Sequence, residues 1–135
     1  MTSPDEARQA TIQWLETFVI GMNLCPFAAK PWNRGQVKID VCKSESFDEQ
    51  ARAFLTSLDE LINASPDAIA TSLLVLPTGL EDFDDYLDYL DSCQHLLEQA
   101  GLEGTIQLAS FHPDYCFEGE TDDAPGNFTN RAPYP

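Results

Sequence analysis

The sequence has few basic residues, and almost none lie in its C-terminal two thirds. Seven Lys and Arg stand against 23 Asp and Glu in 135 residues, which gives a net charge of −16. Residues 44–135 contain two basic and nineteen acidic residues. Nucleic-acid phosphates and anionic membrane surfaces repel such a chain, so we expect neither as a partner. We interpret most of the acidic residues as solvated surface.

Other features are also missing. The four cysteines, Cys25, Cys42, Cys93 and Cys116, contain no C-x-x-C spacing, which argues against a zinc ribbon or a thioredoxin motif. No apolar run is long enough to cross a bilayer, and the polar N-terminus does not resemble a signal peptide. We therefore expect a cytoplasmic protein with reduced thiols. No cofactor is indicated.

The hydrophobic pattern predicts an α/β fold in one domain, residues 1–135. Apolar residues at helical spacing predict helices over residues 4–22, 46–64 and 80–100, and apolar runs predict strands over residues 37–42, 71–76 and 105–110. A helix between successive strands requires parallel pairing. The expected architecture is a small, three-stranded, mainly parallel sheet covered by helices. It comprises an N-terminal helix (1–22), a βαβαβ unit (37–110) and a loop-rich tail (111–135).

Capping signals and strand patterns refine this prediction. Ser3, Ser46 and Thr78 each precede a helix by the spacing of a capping box, the last with Glu81. The strand at 37–42 alternates apolar and polar residues, which is typical of a sheet edge. The strand at 71–76 is continuously apolar, so we expect it to be central and buried on both faces.

The stretch from Ala109 to Tyr115 is the strongest candidate for a functional site. It follows the last predicted strand, and the carboxyl ends of parallel strands commonly carry the chemistry of open α/β folds. Imidazole titrates near neutral pH, so His112 could act as a general base oriented by Asp114 or Tyr115. The alternative is a structural histidine that hydrogen-bonds to backbone groups at a strand end.

The C-terminal tail contains a second group of candidates, Asn130, Arg131 and Tyr134. Arg131 is the only cation after Arg52, and its guanidinium could hold the carboxylate or phosphate of a small anionic ligand. It could equally pair with nearby carboxylates. A second place for an anion is the least negative region of the chain, which contains Lys30, Arg34, Lys38 and Lys43.

The remaining candidates have plainer interpretations. Cys25 could be a nucleophile, although it follows the C-terminus of a helix, where the dipole disfavours a thiolate. Cys93 falls on a buried helical stripe, and His95 has the position of a helix-capping residue. Cys42 and Cys116 could form a metal site with His112. The acidic run from Glu81 to Asp91 lacks the spacing of an EF-hand and is interpreted as a solvated face.

Three motifs together resemble an uncharacterised bacterial family, domain of unknown function 1415. They are Asn23-Leu24-Cys25-Pro26-Phe27-Ala28, Ser110-Phe111-His112-Pro113-Asp114-Tyr115 and Thr129-Asn130-Arg131-Ala132-Pro133-Tyr134-Pro135. The resemblance covers nearly the whole chain. It implies a grouping rather than an activity, in which the motif positions are Cys25, His112, Asp114, Tyr115, Asn130, Arg131 and Tyr134.

This chain departs from the family pattern in two places. Cys116 stands where a polar residue is expected, which weakens the case for a role at that position. The family also continues beyond the final Pro-Tyr-Pro, so we expect this chain to be cut short relative to it.

Two functional hypotheses follow, and the reaction, substrate and oligomeric state stay open. The first is a cytoplasmic enzyme that acts on a small anionic substrate, with His112 as acid/base, Asp114 and Tyr115 as its orienters, Asn130 and Arg131 as the clamp, and Cys25 as nucleophile or pocket wall. The second is a non-catalytic binding or interaction module. A pocket lined by His112, Arg131 and Tyr134 would favour the enzyme, whereas a His112 bonded to backbone would favour the module.

Overall fold

The computed structural model describes residues 3–22, 28–65 and 67–135. Their helices are α1 (Pro4–Trp14), α2 (Ala29–Asn33), α3 (Phe47–Asn63) and α4 (Phe83–Gln99), and their strands are β1 (Val37–Val41) and β2 (Thr71–Val75). A π-helical turn, Leu15–Ile20, extends α1, and a 3-10 helix, Pro125–Asn130, lies in the tail. Among these residues no helix is both long and apolar enough to cross a membrane.

The first helix begins as its sequence predicts. Ser3 is the N-cap, and its hydroxyl accepts a hydrogen bond of 3.1 Å from the Glu6 backbone N–H. The fixed backbone angle of Pro4 suits the first helical position. The helix widens at its end, where the Gly21 N–H donates to the Glu16 carbonyl five residues earlier.

The sheet contains two parallel strands within the described residues, so the prediction of a third strand is wrong. β1 pairs with β2 from Val37 opposite Thr71 to Val41 opposite Val75, and α3 connects them. The mixed α/β class is confirmed. Residues 105–110 run without ladder hydrogen bonds to β2, after two turns in which Gly101 and Gly104 have φ of 72° and 86°.

Hydrogen bonds at both ends of the segment 105–110 go to partners other than β2. The N–H groups of Thr105 and Ile106 both donate to the Leu102 carbonyl at 2.9 Å, within the preceding turn. At the other end the Ser110 carbonyl accepts from the Asn130 side-chain amide at 2.9 Å. The tail also takes the position beside the end of β2, where the Leu76 N–H donates to the Pro135 carbonyl at 2.9 Å.

β2 is covered on both faces, as its apolar run predicts, but the prediction that it is central is wrong, because the described sheet contains only two strands. Leu73 and Val75 pack with the cluster formed by α1, the π-helical turn and β1, which includes Ala7, Leu15, Val19 and Ile39. Leu74 and Leu76 pack with the cluster formed by α4 and the loop before it, which includes Leu80, Tyr86, Tyr89 and Cys93. Alternate side chains of a strand point to opposite faces, so the sheet separates the two clusters.

The start of α4 differs from the prediction. The helix begins at Phe83, and its N-cap is Asp82, whose carboxylate accepts from the backbone N–H groups of Asp84 and Asp85. The predicted capping box of Thr78 and Glu81 is wrong, because Glu81 instead accepts from the Gly79 N–H at 3.0 Å through both oxygens. Gly79 has φ of +96°, so this turn precedes the helix rather than beginning it.

Candidate functional site

His112 lies in the interior with both ring nitrogens bonded to backbone. It is 0% exposed. The Asp114 backbone N–H donates to Nδ1 at 3.0 Å, which requires that the ring proton reside on Nε2. Nε2 then donates to the Leu80 carbonyl at 2.9 Å. In this tautomer neither ring nitrogen of His112 has a free lone pair or a free N–H. The two hydrogen bonds of the imidazole connect the loop before α4 to the segment that follows residue 110.

Aromatic rings enclose the His112 imidazole. Its centroid lies 5.2 Å from that of Phe83 and 5.1 Å from that of Tyr86. The Tyr86 hydroxyl accepts a 3.1 Å hydrogen bond from the Phe111 N–H. Burial raises the pKa of Tyr86 to about 12, against the smaller lowering effect of that hydrogen bond. The Tyr86 hydroxyl is therefore uncharged at physiological pH, and its ring packs against the imidazole of His112.

The other residues of the His112 motif face outward or pack on rings. Asp114 is exposed, and only its backbone N–H contacts the imidazole. Tyr115 is half-buried, with its ring 5.3 Å from Phe83, and its hydroxyl accepts from the Ser110 hydroxyl at 3.4 Å. The two predicted orienters of His112 thus act through backbone and packing contacts.

Arg131 holds the tail together through carbonyl groups. Its Nε donates to the Tyr115 carbonyl at 2.9 Å and its Nη2 to the Asp122 carbonyl at 2.6 Å. The guanidinium also lies 4.8 Å from the centre of the Phe128 ring. Within the described part of the chain its guanidinium forms no ion pair with a carboxylate, so the predicted alternative of carboxylate pairing is not the arrangement seen.

The remaining predicted site residues occupy different places. Asn130 bonds the tail to Ser110 and His112, and Tyr134 packs half-buried against the cluster that includes Ala7 and Ile39. Cys25 lies outside the described residues. The structure therefore brings five of the predicted site residues together as a hydrogen-bonded cluster: His112, Asp114, Tyr115, Asn130 and Arg131. Tyr134 packs elsewhere.

Two fully buried polar residues were missed by sequence reasoning. Gln50 is 1% exposed, and its side-chain amide donates to the Ser44 carbonyl at 3.0 Å and the Thr78 carbonyl at 3.2 Å. It thereby joins the loops that follow β1 and β2. Asn127, 0% exposed, accepts from the Phe117 N–H and donates to the Thr121 carbonyl. Both have ordinary helix and loop surroundings in the sequence, so no local signal identifies them.

The carboxyl edge of the sheet is consequently filled rather than open. Gln50 occupies the space between the two loops, and a Cβ on Gly79 would lie 3.1 Å from its amide nitrogen. His112 fixes the neighbouring carbonyl of Leu80. The His112 segment thus contacts the loop that follows β2 through an interior hydrogen bond to Leu80.

The cavity of interest lies along the outer edge of β2. It has a volume of about 230 Å³ and extends between β2, residues 106–109 and the last residues of the tail, with α1, α3 and α4 around it. Six aromatic side chains line it: Trp14, Phe54, Tyr86, Tyr89, Phe111 and Tyr134. Two come from the predicted motifs, Phe111 and Tyr134. His112, Asp114 and Arg131 are not part of the lining.

Charged groups lie elsewhere in the described residues. The acidic side chains from Glu81 to Asp91 are exposed, as predicted for a solvated face. Lys38 pairs with Asp40 at 3.4 Å and with Glu60, whereas Lys30, Arg34 and Lys43 are exposed. No group of three or more His, Cys, Asp or Glu in the described ranges has the arrangement of a metal site. Cys93 is core, as predicted, and His95 is exposed beside Gln99.

The comparison with known families matches this arrangement of motifs to one family. The family model described as "Protein of unknown function (DUF1415)" matches residues 6–135. The chain belongs to the DUF1415 family. The resemblance of its three motifs to that family is thus confirmed. No curated protein and no solved structure matches this DUF1415 chain significantly.

Proposed function

We propose that this DUF1415 protein is a non-catalytic binding protein whose ligand occupies the cavity along the outer edge of β2. The observation that carries the proposal is the cavity itself: about 230 Å³, aromatic and apolar in its lining. Ligand sites are typically concave and apolar with a few polar groups. The motif residues Phe111 and Tyr134 would then contribute ligand contacts.

The state of His112 favours binding over acid/base catalysis. A general base needs a ring nitrogen within reach of the substrate proton. Both nitrogens of His112 instead bond to backbone at 2.9 and 3.0 Å, with the ring 0% exposed. Arg131 likewise donates to two carbonyl groups. An enzyme acting on an anionic substrate would need both residues to leave these partners.

A screen of small metabolites by ligand-observed NMR tests the proposal. We expect at least one compound to bind the wild type, to lose at least tenfold in affinity in Leu108→Trp, and to change less than twofold in Leu55→Trp. Leu108 lines the cavity, and the added ring would occupy its volume. Leu55 lies on α3, 42% exposed and outside the lining, so it is the matched control.

Two results would contradict the proposal. The first is the absence of any cavity binder in the library, or binding that survives Leu108→Trp in a folded protein. The second is chemical conversion of a library compound by the wild type that His112→Asn abolishes. Leu61→Phe, a milder filling of the same cavity, replaces Leu108→Trp if that variant does not fold.

A further inference from the structure

The backbone groups of β2 alternate between its two edges. Thr71 donates its N–H to the Gln36 carbonyl at 3.3 Å, and the Val75 carbonyl accepts from the Cys42 N–H at 2.9 Å. Both partners lie on the β1 side of the sheet. Odd-numbered residues of β2 therefore bond to β1, and Ser72, Leu74 and Leu76 direct their N–H and C=O groups to the outer edge.

The outer edge of β2 is only partly paired within the described residues. The Leu76 N–H donates to the Pro135 carbonyl at 2.9 Å. Neither Ser72 nor Leu74 has a backbone partner on this side among the described ranges. The Ser72 hydroxyl is inaccessible to solvent and also has no hydrogen-bond partner among the described residues. The other edge of the sheet differs, because the Arg8 guanidinium donates to the Ile39 carbonyl.

The cavity occupies the place where a third strand would supply these missing partners. Ser72 and Leu74 line one side, and residues 106–109 line another. Ser72 and Leu74 are half-buried. Backbone groups that leave water in a folded protein are almost always hydrogen-bonded, because an unpaired one destabilises the fold. A ligand that presents a donor beside an acceptor would satisfy this edge as a strand does.

Size and charge restrict the ligand further. An engineered apolar cavity of about 150 Å³ holds benzene, and by the same measure 230 Å³ holds roughly ten non-hydrogen atoms. A strand several residues long exceeds this volume. Among the described residues, no Asp, Glu, Lys, Arg or His lines the cavity, so an ion there would lose its hydration without a charged partner from them. The six aromatic side chains favour a flat ring, which they can contact edge-on or stacked.

We propose that the cavity binds a small, neutral, planar ring compound of the lactam or cyclic-amide class, whose adjacent N–H and C=O pair with the outer backbone edge of β2 at Ser72 and Leu74. This inference rests on the proposed binding function and specifies its ligand chemistry. The side chains of Trp14, Tyr86 and Phe111 would pack against the ring, and the backbone edge of β2 would bond to its N–H and C=O. Selectivity for a lactam over other ring compounds therefore arises from backbone groups, which no side-chain substitution removes directly.

Three related probes test the inference, and all are small enough for the cavity: 2-pyridone, its N-methyl derivative and pyridine-2-carboxylate. The first has the donor and the acceptor, the second lacks the donor, and the third is an anion. We expect N-methylation to weaken binding at least tenfold, because the Ser72 carbonyl then loses water without gaining a donor. The carboxylate should not bind at the concentration that saturates the protein with 2-pyridone.

Amide hydrogen exchange provides a site-specific reading with an internal control. In the free protein the N–H groups of Ser72 and Leu74 should exchange faster than those of Leu73 and Val75, which face β1. The ligand N–H donates to the Ser72 carbonyl and the ligand carbonyl accepts from the Leu74 N–H. Saturation with 2-pyridone should therefore slow exchange at Leu74 at least tenfold and leave exchange at Leu73 and Val75, which pair with β1, unchanged. Leu108→Trp should remove this protection, and Leu55→Trp should preserve it.

The outcomes separate the ligand class from the function. Equal binding of 2-pyridone and its N-methyl derivative, or tighter cavity binding of the carboxylate, would overturn the lactam inference and leave cavity binding in place. The same holds if a library compound binds the cavity while 2-pyridone does not. If neither the library nor any of the three probes perturbs cavity residues, the proposed function itself falls.

Discussion

At the scale of single residues, burial separates the two histidines of this chain. His112 is 0% exposed with two backbone partners, whereas His95 is exposed on α4. Their chemistry is the same, so a difference in mutational effect reports the surroundings. The comparison also tests the structural interpretation of His112 independently of any ligand.

We expect His112→Ala to lower the free energy of unfolding by about 2–4 kcal/mol, through lost hydrogen bonds and a cavity. His95→Ala should change it by less than about 0.5 kcal/mol, as for most exposed positions. Urea unfolding of both variants measures the difference. Equal stability of the two variants would argue that the backbone contacts of His112 contribute nothing.

Cys93 makes a second prediction at this scale, on alkaline stability. Burial raises the pKa of its thiol from 9.0 to about 11. The folded state thus holds the proton more tightly than the unfolded state. The corresponding stability is complete below pH 9.0 and is lost as the pH rises towards about 11. Below that window the thiol is protonated in both states and contributes no pH dependence.

Cys93→Ala should remove this part of the pH dependence. Within the window the wild type should lose stability more steeply than the variant, by up to about 1.4 kcal/mol per pH unit. Denaturant titrations at a series of pH values measure the two slopes. Parallel curves for wild type and variant would show that Cys93 does not couple folding to pH here.

At the scale of elements, the N-cap of α4 distinguishes the observed helix start from the predicted one. Asp82→Ala should cost about 1 kcal/mol, because its carboxylate accepts from two N–H groups in the first turn. Thr78→Ala should cost less than about 0.5 kcal/mol. Asp91→Ala, an exposed site on the same helix, controls for the lost charge. A larger loss of stability in Thr78→Ala than in Asp82→Ala would favour the predicted start of the helix over the observed one.

Local patterns predicted the elements that depend on local physics. The N-cap of α1, the span of α3 and the double coverage of β2 follow from local patterns, and the structure agrees. The predicted capping box of α3 is wrong, because the Ser46 side chain makes no capping hydrogen bond. The prediction of a third strand is wrong because Thr105 and Ile106 bond back to Leu102, and Ser110 bonds to Asn130, twenty residues away. A pattern cannot reveal which of two distant partners, β2 or the tail, a segment will choose.

In the candidate site, too, local sequence indicated the residues but not their distant partners. Sequence identified the motif residues that cluster near Ser110 and Asn130, and the catalytic roles assigned to them stay a prediction. Their hydrogen-bond partners are carbonyl groups of Leu80, Tyr115 and Asp122, which every residue carries. Gln50 and Asn127 were missed for the same reason, since backbone partners leave no trace in side-chain composition.

At the scale of the whole molecule, repulsion between the many acidic side chains destabilises the folded state. The net charge is −16, and the ion pairs found among the described residues involve Lys38 alone. We expect the melting temperature to rise between about 20 mM and about 0.5 M NaCl, because salt screens repulsion between exposed charges. Calorimetry measures the shift. Replacing Asp84 and Asp85 by Asn should reduce it, and a fall in melting temperature with salt would contradict the expectation.

The position of the outer edge of β2 has a consequence for colloidal behaviour. An unpaired strand edge is a template on which another chain can add by main-chain hydrogen bonds. Residues 106–109 and the end of the tail lie across this edge, so the folded protein does not offer it to a strand of another molecule. Near the isoelectric point of about 4.1, mutual repulsion between molecules vanishes, and we expect solutions brought to that pH to turn cloudy without a gain in β-sheet content.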